Sequence, residues 1–512
     1  MTDPVAAPSR ILRIARLIPD PILIFMALWP LFFLASVLLG GHSYEALSPA
    51  GGTVTQTIRD MSTRENVLWV VDNMIVQNWL AFGGGVLGII LVIVMAVGVA
   101  EHAGLLGALI KQAGAGIPER YLALAVVFLG VMSSLASDAG YVILIPLAGL
   151  LYASLGHHPL AGMAAAFAGV SAGFSANLIP GTTSDVIMGV NARAFAQDQG
   201  VPFVGSLGQV LNPATMTYWF TAASVFVLAP VGAFVTRRFV EPRLAALPFE
   251  RPADMDVGEF ALSDGERRGL RWAGVALLVA LGLVWALAAG PLAPYVDAET
   301  GERVVPYLER LVLLIAFVFL VVGVAFGVAS GTFRSAGDVA TGMVKQMNTM
   351  GYVVVLAFFA YNALSLFAYS GLGAWLTNLG ARGLIALGLG QVPLLLLLGF
   401  LLLTAVLNLF VGGLTSKWLL LGPMFVPMLY TVNPAMTPDV VAAAYRVGDS
   451  VTNIITPMMA YAGVVLAFMR RYVPGFTLGE MFVMMFPYSV AFLLSWSALL
   501  VLFFSAGIPF GF

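Results

Sequence analysis

Stretches of about twenty consecutive apolar residues recur along almost the whole of this chain, and they limit its fold more than any other feature. The hydrocarbon core of a bilayer is about 30 Å thick, and a helix needs about 20 apolar residues to cross it. Only 10% of the 512 residues are charged, whereas a soluble domain carries about 25%. The sequence therefore predicts an all-α polytopic membrane protein whose main partner is the lipid bilayer.

The residue composition argues against several other classes of protein. There are no cysteines, which excludes disulfides and thiolate metal sites, and the four histidines have no metal-ligand spacing. We therefore expect no resident metal or cofactor. The sequence contains no basic tail and no RNA-binding motif that would indicate a nucleic-acid partner. It also contains no HExxH or GxSxG motif that would indicate an enzyme.

Nine apolar segments are long enough to be membrane-spanning helices. They lie near residues 21–40, 78–110, 160–195, 213–240, 268–290, 308–332, 345–378, 438–472 and 480–506. Two further segments, 121–153 and 393–430, are interrupted by small and polar residues, so that each half is too short to cross the bilayer. We expect each of these two to form a re-entrant helical hairpin.

The distribution of arginine predicts the orientation of these spans, because arginine and lysine collect on the cytoplasmic side. Arg10, Arg13 and Arg16 place the N-terminal segment 1–20 in the cytoplasm. If the hairpins do not cross the membrane, the arginine-rich loop at 237–268 is also cytoplasmic. The acidic linker at 291–307 and the C-terminal tail 507–512 then lie on the periplasmic side.

Short matches at a nearly constant spacing indicate an internal duplication. "YVILIP" at 141–146 matches "WLLLGP" at 418–423, and "SANLIP" around Asn177 matches "VTNIITP" around Asn453. The repeats would cover 21–240 and 308–506, and the connecting segment 241–307 holds one span. A single intervening span inverts the second repeat, and inverted repeats with broken helices are typical of secondary transporters.

Four polar clusters follow from this repeat: the tips of the two hairpins and a helix break after each hairpin. Ionisable groups at membrane depth are by default functional. The residues that we predict to bind substrate are Asn408, Thr415, Ser416, Trp418, Arg446, Asn177 and Asn453. The residues that we predict to couple an ion are Asp138, Asp185, Asp449, Ser137, Thr182 and Ser450. The coupling ion is a proton or sodium, and a sodium ion would lie near Asn177 and Asn453.

Several of these residues have a structural alternative. Arg446 could present its planar guanidinium group to a substrate carboxylate, or it could neutralise Asp449 one helical turn away. Trp418 could stack on an aromatic substrate or could be an interfacial belt residue. Ser450 could merely bond to a helix carbonyl.

Long motifs in the chain resemble the AbgT family of p-aminobenzoyl-glutamate transporters. They are "GVAEHAGLLGALIK" (98–111), "SDAGYVILIPLAGLLY" (137–152), "GVSAGFSANLIPGT" (169–182), "FVEPRL" (239–244), "TSKWLLLGPMFVPML" (415–429) and "AAYRVGDSVTNIITPMM" (443–459). The resemblance covers nearly the whole chain. It implies a homodimer in the bacterial inner membrane, with nine transmembrane helices and two hairpins per protomer.

The resemblance also implies roles for single residues. The family's asparagine, tryptophan and arginine correspond to Asn408, Trp418 and Arg446, and its serine corresponds to Thr415. The family's aspartate is displaced by one residue to Asp185. Where the family has an asparagine after its "AFFAYNALSLFAYS"-like segment, this chain has Gly371.

These patterns together predict an ion-coupled secondary transporter that works by alternating access. The resemblance implies uptake of p-aminobenzoyl-glutamate-like aryl carboxylates, export of sulfonamide antimetabolites, or both. The alternative is a sodium-coupled di- or tricarboxylate transporter, because the hairpin layout also resembles the wider ion-transporter group.

Overall fold

The computed structural model describes residues 20–49, 51–114, 118–133, 140–250, 261–296, 303–456, 459 and 461–512. Most of these residues are helical. The α-helices are α1 (Pro21–Leu39), α2 (Arg64–Asn73), α3 (Phe82–His102), α4 (Leu105–Gly114), α5 (Leu122–Met132), α6 (Ile145–Ser154), α7 (Pro159–Phe167), α8 (Thr183–Asp198), α9 (Tyr218–Val235), α10 (Glu241–Leu244), α11 (Asp264–Ala289), α12 (Pro306–Glu309), α13 (Leu311–Ser330), α14 (Ala336–Thr349), α15 (Gly351–Tyr369), α16 (Leu372–Ala386), α17 (Pro393–Asn408), α18 (Leu414–Val432), α19 (Pro438–Val451), α20 (Ala462–Arg470) and α21 (Leu478–Ser505).

Short segments of other helix types extend several of these helices. Five-residue π-helical segments occur at Val76–Leu80, Gly140–Leu144, Ala168–Ala172 and Thr236–Val240, and 3₁₀ turns occur at Glu119–Tyr121, Leu389–Gln391 and Asn453–Ile455. Such irregular turns are frequent at functional sites and at helix ends.

Six helical stretches within the described residues are long and apolar enough to cross a membrane. They are Pro21–Leu39, Tyr218–Leu244, Asp264–Ala289, Leu311–Ser330, Gly351–Tyr369 and Leu478–Ser505. The polytopic all-α class is therefore confirmed, and the chain is a multi-pass membrane protein. The other predicted spans are shorter or interrupted helices.

The predicted span at 345–378 is wrong in its bounds. Helix α15 ends at Tyr369 and α16 begins at Leu372, with Gly371 between them at φ 81°. This left-handed conformation suits glycine and, less well, asparagine. Glycine at position 371 is therefore suited to this turn. The span at 78–110 also divides, after His102, where α3 ends and α4 follows.

Three of the four predicted interruptions fall within the described residues, and these three lie where the sequence predicts them. Helices α17 and α18 are joined by a turn at 409–413, where the second hairpin is predicted. Helices α5 and α6 flank residues 134–139, which lie outside the described residues, so the first hairpin stays a prediction. A non-helical stretch at 173–182 separates the Ala168–Ala172 segment from α8. In the second half α19 ends at Val451 and α20 resumes at Ala462.

A glycine in each half lets the helix before the break pack closely against the first arm of its hairpin. A side chain at Gly169 would lie 2.9 Å from Gly130 Cα in α5, and one at Gly448 would overlap Leu401 O in α17. The two glycines are 279 residues apart, close to the offset of the sequence repeat. The inverted orientation of the two halves stays a prediction.

Two small strand pairs are additions that the all-α expectation missed. Strands β1 (Ser43–Leu47) and β2 (Thr53–Thr57) pair antiparallel with Ser43 opposite Thr57, and β3 (Tyr295–Val296) pairs with β4 (Arg303–Val304). The first pair is fixed to α16, because Leu47 N donates to Asn378 Oδ1 at 3.0 Å.

Contacts between loops agree with the predicted arrangement of two sides. On one side Asn212 N donates to Phe512 O at 3.2 Å. This bond joins the predicted periplasmic tail to the loop between the predicted spans 160–195 and 213–240, which the same crossing pattern places in the periplasm. On the other side Lys111 pairs with Glu266 at 2.9 Å, and Glu250 N donates to Tyr472 O at 2.9 Å. Which side faces the cytoplasm stays a prediction.

Candidate functional site

Three of the four predicted polar clusters meet in the interior of the helical bundle. The break at 173–182 and the start of α8 contact α19, and the start of α18 at the second hairpin tip contacts both α8 and α19. Arg446, Asp449, Lys417 and Asn408 are all at most 1% exposed. The fourth cluster, with Ser137 and Asp138, lies outside the described residues.

Arg446 forms an ion pair with Asp185, and both side chains are buried. Asp185 is also the third residue of a capping box at the start of α8. Its Oδ2 accepts hydrogen bonds from Thr182 N at 2.9 Å and Thr182 Oγ1 at 2.7 Å. Such a box satisfies donors at the helix N-terminus that otherwise lack partners. The carboxylate is therefore held in place by its own helix and presented to α19.

The guanidinium group of Arg446 makes one further hydrogen bond and has one nitrogen without a partner among the described residues. Nη1 donates to Ser175 O at 3.3 Å in the first break, while Nε is buried without a hydrogen-bond partner among the described residues. The structure does not pair Arg446 with Asp449, the alternative that their spacing suggested. The arginine connects the two halves of the chain instead.

Asp449 pairs with Lys417, whose Nζ lies 2.6 Å from Asp449 Oδ1. Lys417 also contacts Asn408 Oδ1. The lysine therefore lies inside the protein and does not point to water. This second ion pair joins the hairpin tip to α19.

Asn408 is the centre of the hydrogen bonds at this tip. Its Nδ2 lies 2.6 Å from Asp449 O, 2.9 Å from Thr452 Oγ1 and 2.8 Å from Asn453 Oδ1. Asn453 Nδ2 in turn donates to Ser171 O at 3.2 Å. The second tip, the second break and the helix before the first break are thus joined by one polar network.

Trp418 is fully buried. Its indole N–H donates to Met188 O in α8 at 3.1 Å, and its ring packs against Tyr445 with centroids 4.7 Å apart. In this conformation the ring has no open face for a substrate. Its role in stacking on an aromatic substrate stays a prediction that requires the hairpin and α8 to separate.

The smaller predicted residues occupy different environments. Ser450 Oγ donates to Ser175 Oγ at 2.9 Å across the two halves, whereas Ser416 Oγ bonds to Gly412 O at 3.0 Å within its own turn. Thr415 is half-buried at the start of α18. Asn177 is 2% exposed, and its Oδ1 has no hydrogen-bond partner among the described residues.

Sequence analysis missed Ser171 and Tyr445 as members of this region. Ser171 Oγ is buried without a partner among the described residues, and Tyr445 OH donates to Leu414 O at 2.6 Å. Tyr445 directly precedes Arg446 in the chain, and this adjacency was a signal by which it could have been identified as a member of the site. The capping box was also readable from the spacing of Thr182 and Asp185.

The charges of the cluster balance. Arg446 and Lys417 contribute two positive charges, and Asp185 and Asp449 contribute two negative charges. Buried ionisable groups in a membrane pair with one another and mark ion or substrate pathways. Among the described residues, no group of three histidine, aspartate or glutamate side chains could hold a metal ion.

Broken helices that meet at a buried, charge-balanced cluster inside a multi-pass bundle define a membrane transporter. Comparison with known proteins gives the particular group. The model of the AbgT putative transporter family matches residues 9–512, and the chain belongs to this family. Since members of the family are transporters, the chain is a transporter and not an enzyme.

Individual relatives cover nearly the whole chain. It is 30% identical over 502 residues to the p-aminobenzoyl-glutamate transport protein of Escherichia coli K12, spanning 98% of this chain and 94% of that protein. The YdaH transporter of Alcanivorax borkumensis has a TM-score of 0.86 and 36% identity, covering 96% of this chain and all of that one. MtrF of Neisseria gonorrhoeae, described with a class of antimetabolite efflux pumps, has a TM-score of 0.84 and 33% identity. The match covers 96% of this chain and 97% of MtrF.

Proposed function

We propose that this protein transports aryl carboxylates of the p-aminobenzoyl-glutamate class across the bacterial inner membrane by ion-coupled alternating access. One observation carries the proposal: a buried arginine, Arg446, is held by a single carboxylate, Asp185, at a helix break. A guanidinium group binds a carboxylate through a planar pair of donors. A substrate carboxylate can therefore replace Asp185 at the same place. The Escherichia coli relative, named for p-aminobenzoyl-glutamate transport, supports this class of substrate.

Charge balance explains how an ion would be coupled to this exchange. If a substrate carboxylate displaced a charged Asp185, a buried carboxylate would be left unpaired, and breaking such a pair costs about 3–5 kcal/mol. A proton on Asp185 Oδ1 removes that charge. Counting only the substrate carboxylate that binds Arg446, two cations then face that carboxylate and Asp449, so the net charge of the cluster is again zero. Substrate and proton would thus bind together.

A sodium ion is the second candidate for coupling. Asn177 Oδ1 and Ser171 Oγ are buried oxygens without hydrogen-bond partners among the described residues, and amide and hydroxyl oxygens are ligands for hard cations. Imposed proton and sodium gradients, tested separately, distinguish the two.

Counterflow in proteoliposomes tests the proposed substrate. Vesicles preloaded with unlabelled p-aminobenzoyl-glutamate should accumulate the labelled compound, and Arg446→Gln should abolish this accumulation. Arg334→Gln, an exposed arginine outside the cluster, is the matched control and should transport normally. Sulfonamide antimetabolites belong in the same assay, because the family resemblance implies their export and MtrF is described with a class of antimetabolite efflux pumps. Equal transport by Arg446→Gln, or competition by succinate or citrate but by no aryl carboxylate, would overturn the proposal.

We further propose that the protein is a homodimer, with its N-terminus in the cytoplasm and its C-terminus in the periplasm. The family resemblance supports the dimer, and the positions of the arginines support the orientation. Light scattering of the purified protein, corrected for detergent, should give twice the mass of 54.1 kDa. A single-chain mass would contradict the dimer.

A further inference from the structure

A second feature lies away from the transport cluster, at one end of the first hairpin and α9. Two neighbouring cavities of about 410 Å³ and 510 Å³ meet here and share Arg120 and Arg237 in their walls. The first, which we call the polar cavity, has as its polar lining Glu119, Arg120, Tyr152, His157, Arg237 and Glu241. The second, which we call the apolar groove, is lined among others by Tyr121, Leu124, Pro230, Phe234 and Arg238.

The three arginines at this junction are available to a ligand. Arg120, Arg237 and Arg238 are all exposed, and within the described part of the chain none has a carboxylate oxygen within 4 Å. Arg237 donates to the backbone carbonyl of Arg120, which ties the two residues together, and the Arg120 guanidinium lies 4.7 Å from the centroid of the Tyr121 ring. Planar guanidinium groups suit phosphate oxygens.

The polar cavity contains groups that suit a hydroxyl-bearing headgroup. Tyr152 is 1% exposed, and its hydroxyl has no hydrogen-bond partner among the described residues. Glu119 and Glu241 supply acceptors, and Glu119 Oε1 lies 2.9 Å from His157 Nε2. Three arginines against two glutamates leave one net positive charge when His157 is neutral. That balance matches a phosphodiester with a single negative charge.

The apolar groove runs along exposed side chains at one end of a membrane-spanning stretch. Arg237 and Arg238 lie near the end of the membrane-spanning stretch Tyr218–Leu244. Phe234 is 60% exposed and Tyr121 is 47% exposed, as expected of side chains in contact with acyl chains. The arginines at the junction are therefore continuous with the apolar walls of the groove. The arginines suit the headgroup of a lipid, and the groove suits an acyl chain.

We propose that this junction binds an anionic phospholipid of the phosphatidylglycerol class. Its phosphate lies against Arg120 and Arg237, its glycerol hydroxyls lie in the polar cavity, and one acyl chain follows the apolar groove between α5 and α9. Basic pockets between transmembrane helices are a recurrent type of lipid headgroup site. Because α5 is an arm of the first hairpin, a bound lipid would join that hairpin to α9.

Thermal unfolding of the full chain in detergent tests this proposal. Phosphatidylglycerol should raise the unfolding midpoint, whereas phosphatidylcholine and inorganic phosphate should not. In the triple variant Arg120→Gln, Arg237→Gln, Arg238→Gln the lipid concentration for half the effect should rise at least tenfold. The triple variant Arg64→Gln, Arg267→Gln, Arg334→Gln removes the same charge from exposed positions elsewhere and should behave as wild type.

A second variant keeps the arginines and blocks the groove. Leu124→Trp fills it with a larger ring and should also weaken the phosphatidylglycerol effect, which keeps the test decisive if the arginine variant does not fold. Equal effects of phosphatidylcholine, or of inorganic phosphate alone, would overturn the proposal. It would also be overturned by equal losses in the control triple variant, or by a change of oligomeric mass in the groove variants, which would assign this surface to a second copy of the chain.

Discussion

The two buried ion pairs determine what the interior of this transporter can do. Asp185 and Arg446 connect α8 to α19, and Lys417 and Asp449 connect the second hairpin to the same helix. An ion pair in a low-dielectric interior stabilises little relative to apolar packing, but the loss of one partner is strongly destabilising. These residues are therefore suited to exchange partners during transport, because a proton or substrate charge can replace one member.

Variants of Lys417 and Asp449 should show strong coupling. Lys417→Met and Asp449→Asn each leave one buried charge unpaired and should cost about 3–5 kcal/mol, whereas the double variant removes both charges and should cost less than the sum. Thermal unfolding of the four proteins measures this. Strictly additive losses would contradict a direct ion pair.

Asn408 should matter for stability as well as for transport. Asn408→Ala removes the amide that contacts Asp449 O, Thr452 Oγ1 and Asn453 Oδ1, and leaving buried polar groups unsatisfied costs about 1–3 kcal/mol. Asn73→Ala, which removes a single bond to Trp69 O in α2, is the control with a smaller effect. Equal unfolding midpoints for the two variants would contradict the central position of Asn408.

At the scale of elements, the glycine contacts explain how each hairpin stays against its broken helix. Backbones approach closely only where a side chain is absent, and small residues perform this role between membrane helices generally. Gly448 faces Leu401 O in α17, and Gly169 faces Gly130 in α5. The hairpin and the helix before the break should therefore move together as one body.

Two glycine variants test this packing. Gly448→Ala places a methyl group against Leu401 O and should destabilise the protein by about 1–3 kcal/mol through overpacking. Gly399 lies in α17 with open space around it. Gly399→Ala should therefore be neutral or stabilising, because alanine has a higher helix propensity than glycine. A stable Gly448→Ala protein with normal transport would show that the close approach is unnecessary.

Elements that depend on local sequence could be predicted, whereas contacts between residues far apart in the chain could not. Apolar length predicted the multi-pass class, and polar residues within apolar runs predicted the breaks and the second hairpin turn. The partners in the ion pairs could not be predicted, because Asp185 and Arg446 are 261 residues apart. The helix boundary at Gly371 depends on a single residue in the left-handed conformation. The length of an apolar segment does not reveal such a boundary, which is why the span at 345–378 was predicted as continuous.

Across the whole molecule, the loops form two sets, and the loops within each set lie on the same predicted side of the membrane. The tail at Phe512 contacts the loop at Asn212, while Lys111 contacts Glu266 on the other set. Alternating access requires the cluster to be open to one side at a time. In this structure Arg446 is 1% exposed and Trp418 is fully buried, so the cluster is closed to both.

Cysteine labelling tests the orientation directly, because the natural chain has no cysteine. Val210→Cys, at a position 81% exposed, should react with a membrane-impermeant maleimide added to intact spheroplasts. Arg267→Cys should react only after the membrane is permeabilised. The opposite pattern would invert the predicted topology.

We propose that a substrate carboxylate takes the place of Asp185 at Arg446 while Asp185 takes up a proton. Proton uptake on addition of p-aminobenzoyl-glutamate to purified protein in weakly buffered solution measures this most directly. We predict about one proton taken up for each substrate bound to wild type, and none for Asp185→Asn if that variant still binds substrate. Substrate binding without proton uptake, or the same uptake in Asp185→Asn, would contradict this exchange.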